Sequence, residues 1–216
     1  MSRTPRWTAR LTALIAVITG LTVILPPATA GAEPPGIPSD STALAQLDAL
    51  TVAEEGPMDG YSRQSFRHWI TISGKCDTRE TVLKRDGDSV VTGTNCAATE
   101  GSWYSPYDGE TWTDASDLDI DHVVPLAEAW RSGADSWTAS RRQAFANDLS
   151  RPQLIPVTNN VNRSKGDEDP STWQPSVSSY RCTYAKMWIA VKYYWSLTLQ
   201  SEEKDALEDM LSTCGS

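Results

Sequence analysis

The alternation of apolar and polar positions divides the chain into a short helical start, a β-rich middle and a strongly helical tail. Residues 42–53, "TALAQLDALTVA", place Leu44, Leu47 and Leu50 at helical spacing, which predicts a short amphipathic helix packed on the domain. Apolar and aromatic runs follow from residue 61 to residue 91. Asp86-Gly87 breaks them, a turn signal that predicts a hairpin of two short strands. In "DLDIDHVVPLAEAW", from residue 117, Leu118 and Ile120 alternate with Asp117, Asp119 and Asp121, as in a strand with one buried face and one wet face. Residues 138–149 read as a helix with Thr138 or Ser140 near its cap, and Pro152 keeps it from running on. In the tail, Tyr184, Met187, Trp188, Val191 and Trp195 share one helical face. Ser201, Glu202 and Glu203 then open a second helix, with a capping oxygen and acids suited to its positive end.

Two helices joined by so short a turn lie antiparallel, so Cys182 at the start of the first meets Cys214 at the end of the second. Cys76 and Cys96 flank the expected hairpin turn and form the other pair. Four cysteines are an even number, which fits a disulfide framework in an exported chain. Export is indicated at the other end of the sequence. Arg3, Arg6 and Arg10 precede an apolar run from Leu11 to Leu25, followed by small residues that suit cleavage near Ala30 or Ala32. That run falls short of the roughly 20 residues a membrane span needs, so residues 1–30 read as a signal peptide and the product as secreted, without a membrane anchor. Residues 31–41 are rich in proline and glycine and read as a flexible lead-in. Residues 42–216 are long enough for one domain with a real core.

Charge narrows the chemistry. The whole chain carries a formal charge of −9, and losing three arginines with residues 1–30 takes it to about −12. Such a surface offers phosphates no general attraction, because non-specific affinity for nucleic acid comes from Lys and Arg. A nucleic-acid ligand would need a local basic patch, a bound cation, or both.

The chain has only two histidines, and one of them, His122, directly follows the aspartate comb. A second unusual stretch, "LIPVTNNVNRSKGDEDP" at residues 154–170, crowds Asn159, Asn160, Asn162, Arg163 and Lys165 behind an apolar run. Carboxylates, neutral amide oxygens and a histidine are what a hard divalent cation and a hydrolytic water require. Asp121-His122-Val123-Val124-Pro125, followed by Asn162-Arg163-Ser164-Lys165-Gly166-Asp167, resembles the HNH nuclease signature of the ββα-metal superfamily. It is similar to the paired motifs in the HNH domain of RNA-guided CRISPR nucleases. The wider run, from "CDTRETVL" through "SPYDG" to the cysteine-bearing tail, is similar to secreted actinobacterial HNH family endonucleases.

The resemblance implies a single α+β domain. Its ββα-metal core would lie between an N-terminal β-hairpin region and a C-terminal, disulfide-stapled helical hairpin. It implies a secreted endonuclease that hydrolyses phosphodiester bonds of DNA, and of RNA as a second substrate, with low sequence specificity. His122 would be the general base, Asp121 and Asn162 would hold one divalent cation, Mg²⁺ first and Mn²⁺ as the alternative, and Arg163 and Lys165 would contact phosphate. Asp119 would stand behind the cation. Gln153, nine residues before Asn162, takes the place of the asparagine that orients the base in the family. The competing reading is a non-catalytic extracellular module that binds a cation or the envelope. A peptidase is disfavoured by the absence of a His-Glu-x-x-His motif. The tryptophans at 103, 112, 130, 137 and 173 read as core, since two phenylalanines cannot fill an interior of this size.

Overall fold

In the computed structural model, Met1 and residues 33–215 are described. The signal segment read for residues 1–30 lies outside the described part apart from Met1. No described helix is long and apolar enough to cross a membrane.

The elements run α1 (Asp40–Ala49), β1 (Thr71–Ser73), β2 (Cys76–Asp77), α2 (Thr78–Asp86), β3 (Asp88–Thr92), β4 (Ala98–Tyr104), β5 (Thr111–Trp112), β6 (Leu118–His122), α3 (Leu126–Arg131), α4 (Ala139–Ala146), β7 (Leu154–Thr158), α5 (Asn159–Lys165), α6 (Arg181–Trp195) and α7 (Ser201–Leu211). All strand pairs are antiparallel: β1 with β2, β3 with β4 with β5, and β6 with β7. The fold is therefore a mixture of helices and small sheets, as the α+β expectation states at its coarsest.

The start differs from the sequence reading. Helix α1 begins at Asp40, capped by Ser39, and Pro34 and Ile37 of the expected flexible lead-in are packed on the domain. Ala43 and Leu47 form its buried face while Leu44 is exposed.

Cys76 and Cys96 are bonded, but not across a simple hairpin. Asp77 and Glu80 form a capping box, each side chain accepting from the other's backbone N–H, and this starts α2 inside the expected strand. Gly87 then ends that helix, and the Asp86-Gly87 turn signal is a helix stop. A Cβ at Gly87 would come within 2.3 Å of the Trp103 indole nitrogen, which donates to the Leu83 carbonyl at 2.8 Å. The true hairpin is β3–β4, with Cys96 in its turn.

In the tail, α6 buries all five residues of the predicted face, and Cys182 is bonded to Cys214. The cap of α7 is Gln200 rather than Ser201, and Glu203 completes its capping box. Glu203 is also buried, where it meets Lys192 of α6. Lys192 bonds Glu128 of α3 as well, at 2.7 Å, so one interior ammonium ties three helices together.

The β6–β7 pair lies between two hydrophobic clusters. Leu118, Ile120 and Leu154 face a smaller cluster with Val82, Leu83 and Trp103, whereas Ile155 and Val157 face the main helical core. Both faces of this sheet are covered, so the aspartate face of β6 is not the wet face that simple alternation suggests.

Candidate active site

Strand β6 delivers Asp121 and His122 to the end of the two-stranded sheet, where they oppose Ile155 and Leu154. The chain then turns through Val123 and Val124 to Pro125, which opens α3. Gln153 holds that turn. Its backbone carbonyl accepts from Val123 N–H, its Oε1 accepts from Val124 N–H at 3.1 Å, and its Nε2 donates to the Val124 carbonyl at 2.9 Å. The amide expected to orient the base therefore braces the backbone beyond His122 and does not touch the ring.

Helix α5 follows β7 without a loop, and its spacing puts Asn162 and Lys165 on adjacent turns of one face. Asn162 lies at the rim and Lys165 is fully buried. The Lys165 ammonium donates to Asp121 Oδ1 and to the His122 carbonyl, both at 3.0 Å. Tyr107 donates its hydroxyl to the other Asp121 oxygen at 2.7 Å. Burial pushes the Asp121 carboxyl up and the Lys165 amine down, each shift only partly offset by the partner's charge. Lys165, expected at the substrate's phosphate, faces inward because the tight β7–α5 junction turns this side of the helix onto β6.

Asn162 donates from Nδ2 to Asp119 Oδ2 at 3.2 Å, which leaves its amide oxygen unspent. Asp119 is half-buried. Arg163 is exposed, and its guanidinium bonds back along α5 to the Asn159 carbonyl and to Asn160 Oδ1. It is not among the residues of the cleft described below.

His122 is buried, with Nε2 2.9 Å from the Ala146 carbonyl. A carbonyl can only accept, so Nε2 carries the proton and Nδ1 is the basic nitrogen of the neutral ring. Burial lowers the His122 pKa to about 3, against the raising effect of the Ala146 bond, and the charges of Arg63, His68 and Lys165 push the same way as burial. The ring is stacked on Trp69 at 5.5 Å and 26°, and Trp69 has a backbone φ of 56°, a conformation that bulky side chains rarely adopt. His68 donates through Nδ1 to the Phe66 carbonyl and meets the His122 ring edge-on.

Asp121, His122 and Asn162 share one cleft of about 380 Å³ with Tyr61, Arg63 and Asp167. Of the predicted site residues, these three thus meet in a single open site, and Gln153, Arg163 and Lys165 do not line it. Tyr107, Trp69 and Arg63 were not singled out from sequence. Tyr107 stands in the "SPYDG" run, whereas Trp69 and Arg63 lie where no periodicity marks a face.

Hard oxygen donors line this site, the free Asn162 amide oxygen and the Asp121 carboxylate, and Asp119 stands beside Asn162 outside the cleft lining. Each carboxylate oxygen has more than one acceptor position, so Asp121 keeps capacity beyond its two bonds. Among the described residues, three His, Cys, Asp or Glu ligand atoms gather within 4.8 Å only at Asp40, Cys182 and Cys214. Both of those cysteines are disulfide-bonded. The donors suit a cation that retains several waters rather than a closed His/Cys cage.

Residues 80–210 match the family described as "GmrSD restriction endonucleases, C-terminal domain". A protein of the fungus Arthroderma benhamiae (strain ATCC MYA-4681 / CBS 112371), named "Uncharacterized secreted protein", is 61% identical over 200 residues, covering 93% of this chain and 98% of that protein. This relative is fungal, whereas the sequence resemblance pointed to actinobacterial proteins. No solved structure matches the chain.

Proposed function

The chain belongs to the family of GmrSD restriction endonuclease C-terminal domains, and from that premise we propose that it is a secreted, divalent-cation-dependent endonuclease of the HNH type. One observation carries the reading: a neutral histidine with a free Nδ1, an asparagine with a free amide oxygen and a buried carboxylate meet in one open cleft on a β6–β7–α5 unit. The strand-strand-helix order and the position of Asn162 on the following helix support the ββα-metal assignment. The secreted relative and the two disulfides support an extracellular place of action.

The residues divide the work. His122 Nδ1 accepts the proton of the attacking water. The imidazole is held for this by the Ala146 carbonyl on Nε2 and by Trp69 on its face. Asn162, with Asp121 and with Asp119 beside it, would hold one Mg²⁺ or Mn²⁺. That ion, when bound, supplies charge stabilisation at the pentacoordinate phosphate and the departing 3′-oxygen. Lys165 and Tyr107 fix the Asp121 carboxylate from below and keep it partly neutralised. The bond broken is P–O3′, so products carry 5′-phosphate and 3′-hydroxyl ends. DNA is the first substrate and RNA the second, with low sequence preference.

The non-catalytic cation- or envelope-binding module draws support from one feature, the Lys165 contact that spends part of the Asp121 charge. The two readings separate on labelled duplex and single-stranded DNA incubated with the oxidised chain in EDTA, then with Mg²⁺ or Mn²⁺. Cation-dependent fragments bearing 5′-phosphates, suppressed in Asn162→Ala, support the nuclease. Undegraded DNA with either cation, from a demonstrably folded protein, leaves the binding module.

A further inference from the structure

We propose that Arg63 is the residue that clamps the substrate's backbone phosphate in the cleft. The assignment rests on the nuclease reading for the identity of the substrate, but on independent observations for the residue.

Arg63 supplies the one cation among the described residues that line the cleft. The remaining basic groups around the site are committed elsewhere. Lys165 is buried on Asp121, Arg163 bonds back to its own helix, and Arg131 is paired with Glu55, Glu128 and Asp167. Arg63 is exposed, and among the described residues no carboxylate pairs with it. Its charge is felt at the His122 ring and at the Tyr61 hydroxyl, which places the guanidinium within electrostatic reach of the base.

The backbone that presents it is firmly seated. Arg63 opens a single 3₁₀ turn, Arg63–Ser65, and the next residue, Phe66, is fully buried against Trp130 and Phe145. The Ser65 carbonyl accepts from Arg142 Nε at 3.3 Å. A planar guanidinium held on such a turn matches two oxygens of a phosphodiester, and its pairing with phosphate is worth most where no competing carboxylate holds it. The acidic balance of the chain, −9 overall, gives this single cation unusual weight. Residue 63 also lies upstream of the family-matched stretch 80–210, so the phosphate grip belongs to a segment outside that stretch.

The test is binding of a fluorescein-labelled single-stranded oligonucleotide to the oxidised mature chain in EDTA, by anisotropy across a salt series, with cleavage measured separately in Mg²⁺. Arg63→Gln should weaken binding roughly tenfold or more, the scale of a hydrogen bond to a charged group. It should also reduce the slope of log Kd against log salt by about 0.7, the effect of one lost phosphate contact on a single strand. Arg63→Lys keeps the charge and should retain the slope while losing part of the affinity. A merely structural role would leave the slope unmoved. Arg67→Ala, an exposed neighbour outside the cleft, should change neither quantity.

Unchanged affinity and slope in folded Arg63→Gln, or no oligonucleotide binding by the wild type, overturns the assignment. Arg63-dependent binding without cleavage under any cation leaves the phosphate site standing and removes the nuclease reading. Cleavage unaffected by Arg63→Gln does the reverse. Should Arg63→Gln fail to fold, an Arg63→Lys protein that binds more weakly at a wild-type salt slope supports the clamp, and one with unchanged affinity contradicts it.

Discussion

At the scale of single residues, the site depends on pairings that exclude water. Lys165 is fully buried, and its ammonium has Asp121 as its carboxylate partner. Replacing it with methionine leaves the buried Asp121 carboxyl without its cation, held by the Tyr107 hydroxyl. Lys165→Met should therefore cost about 3–5 kcal/mol of unfolding free energy, the penalty for breaking a buried pair on one side, read from denaturant melts. A loss below about 1 kcal/mol, typical of a surface pair, would show that the lysine is solvated. The "NRSK" motif made Lys165 visible in the sequence but not its direction, because helical spacing alone does not say which side of α5 meets β6. His122 carries a second residue-scale consequence. Its folded pKa, about 3, lies below the ordinary histidine value near 6.5, so the unfolded chain binds a proton that the native chain refuses. Stability from this group is present above about pH 6.5 and is lost progressively as pH falls from there toward about 3. In EDTA, wild type minus His122→Ala should show a stability difference that shrinks across this interval. A difference independent of pH would contradict a buried neutral ring.

Among the elements, what was legible follows from how each segment meets its surroundings. The α6 face was legible because one helix packs one stripe onto one core. The cysteine pairs were legible because chain geometry brings them together. The wet face of β6 was not, since the sheet is enclosed by a cluster on each side and Asp121 is buried with partners. The expected hairpin between Cys76 and Cys96 failed for a local reason: the Asp77/Glu80 capping box outweighs weak strand preferences over residues 78–86. The Cys182–Cys214 bridge closes the α6–α7 hairpin over a separation of 32 residues. Loop-closure entropy assigns such a bond about 3–4 kcal/mol. Cys182→Ser with Cys214→Ser should lower stability by that order in equilibrium unfolding. Neither cysteine lines the cleft, so kcat of the folded fraction should be unchanged. A lost kcat with intact stability would place the tail in the chemistry.

For the molecule as a whole, an acidic chain positions one exposed arginine, one neutral histidine and a hard oxygen-donor set around a single cleft. The floor of that cleft was readable from the paired motifs. Its wall was not, because residues 58–69 carry no periodicity, and Tyr61, Arg63 and Trp69 reach the site only through tertiary folding. Family membership relates the molecule to restriction endonucleases, and the geometry supplies the residues on which the proposed chemistry depends. The most direct measurement is nicking of supercoiled plasmid by the oxidised chain lacking residues 1–30, in Mg²⁺ and in EDTA, beside His122→Ala of verified fold. The account predicts nicking by the wild type in Mg²⁺, none in EDTA, and a rate at least about 100-fold lower in the variant, as removal of a general base entails. Equal nicking by wild type and His122→Ala would contradict it.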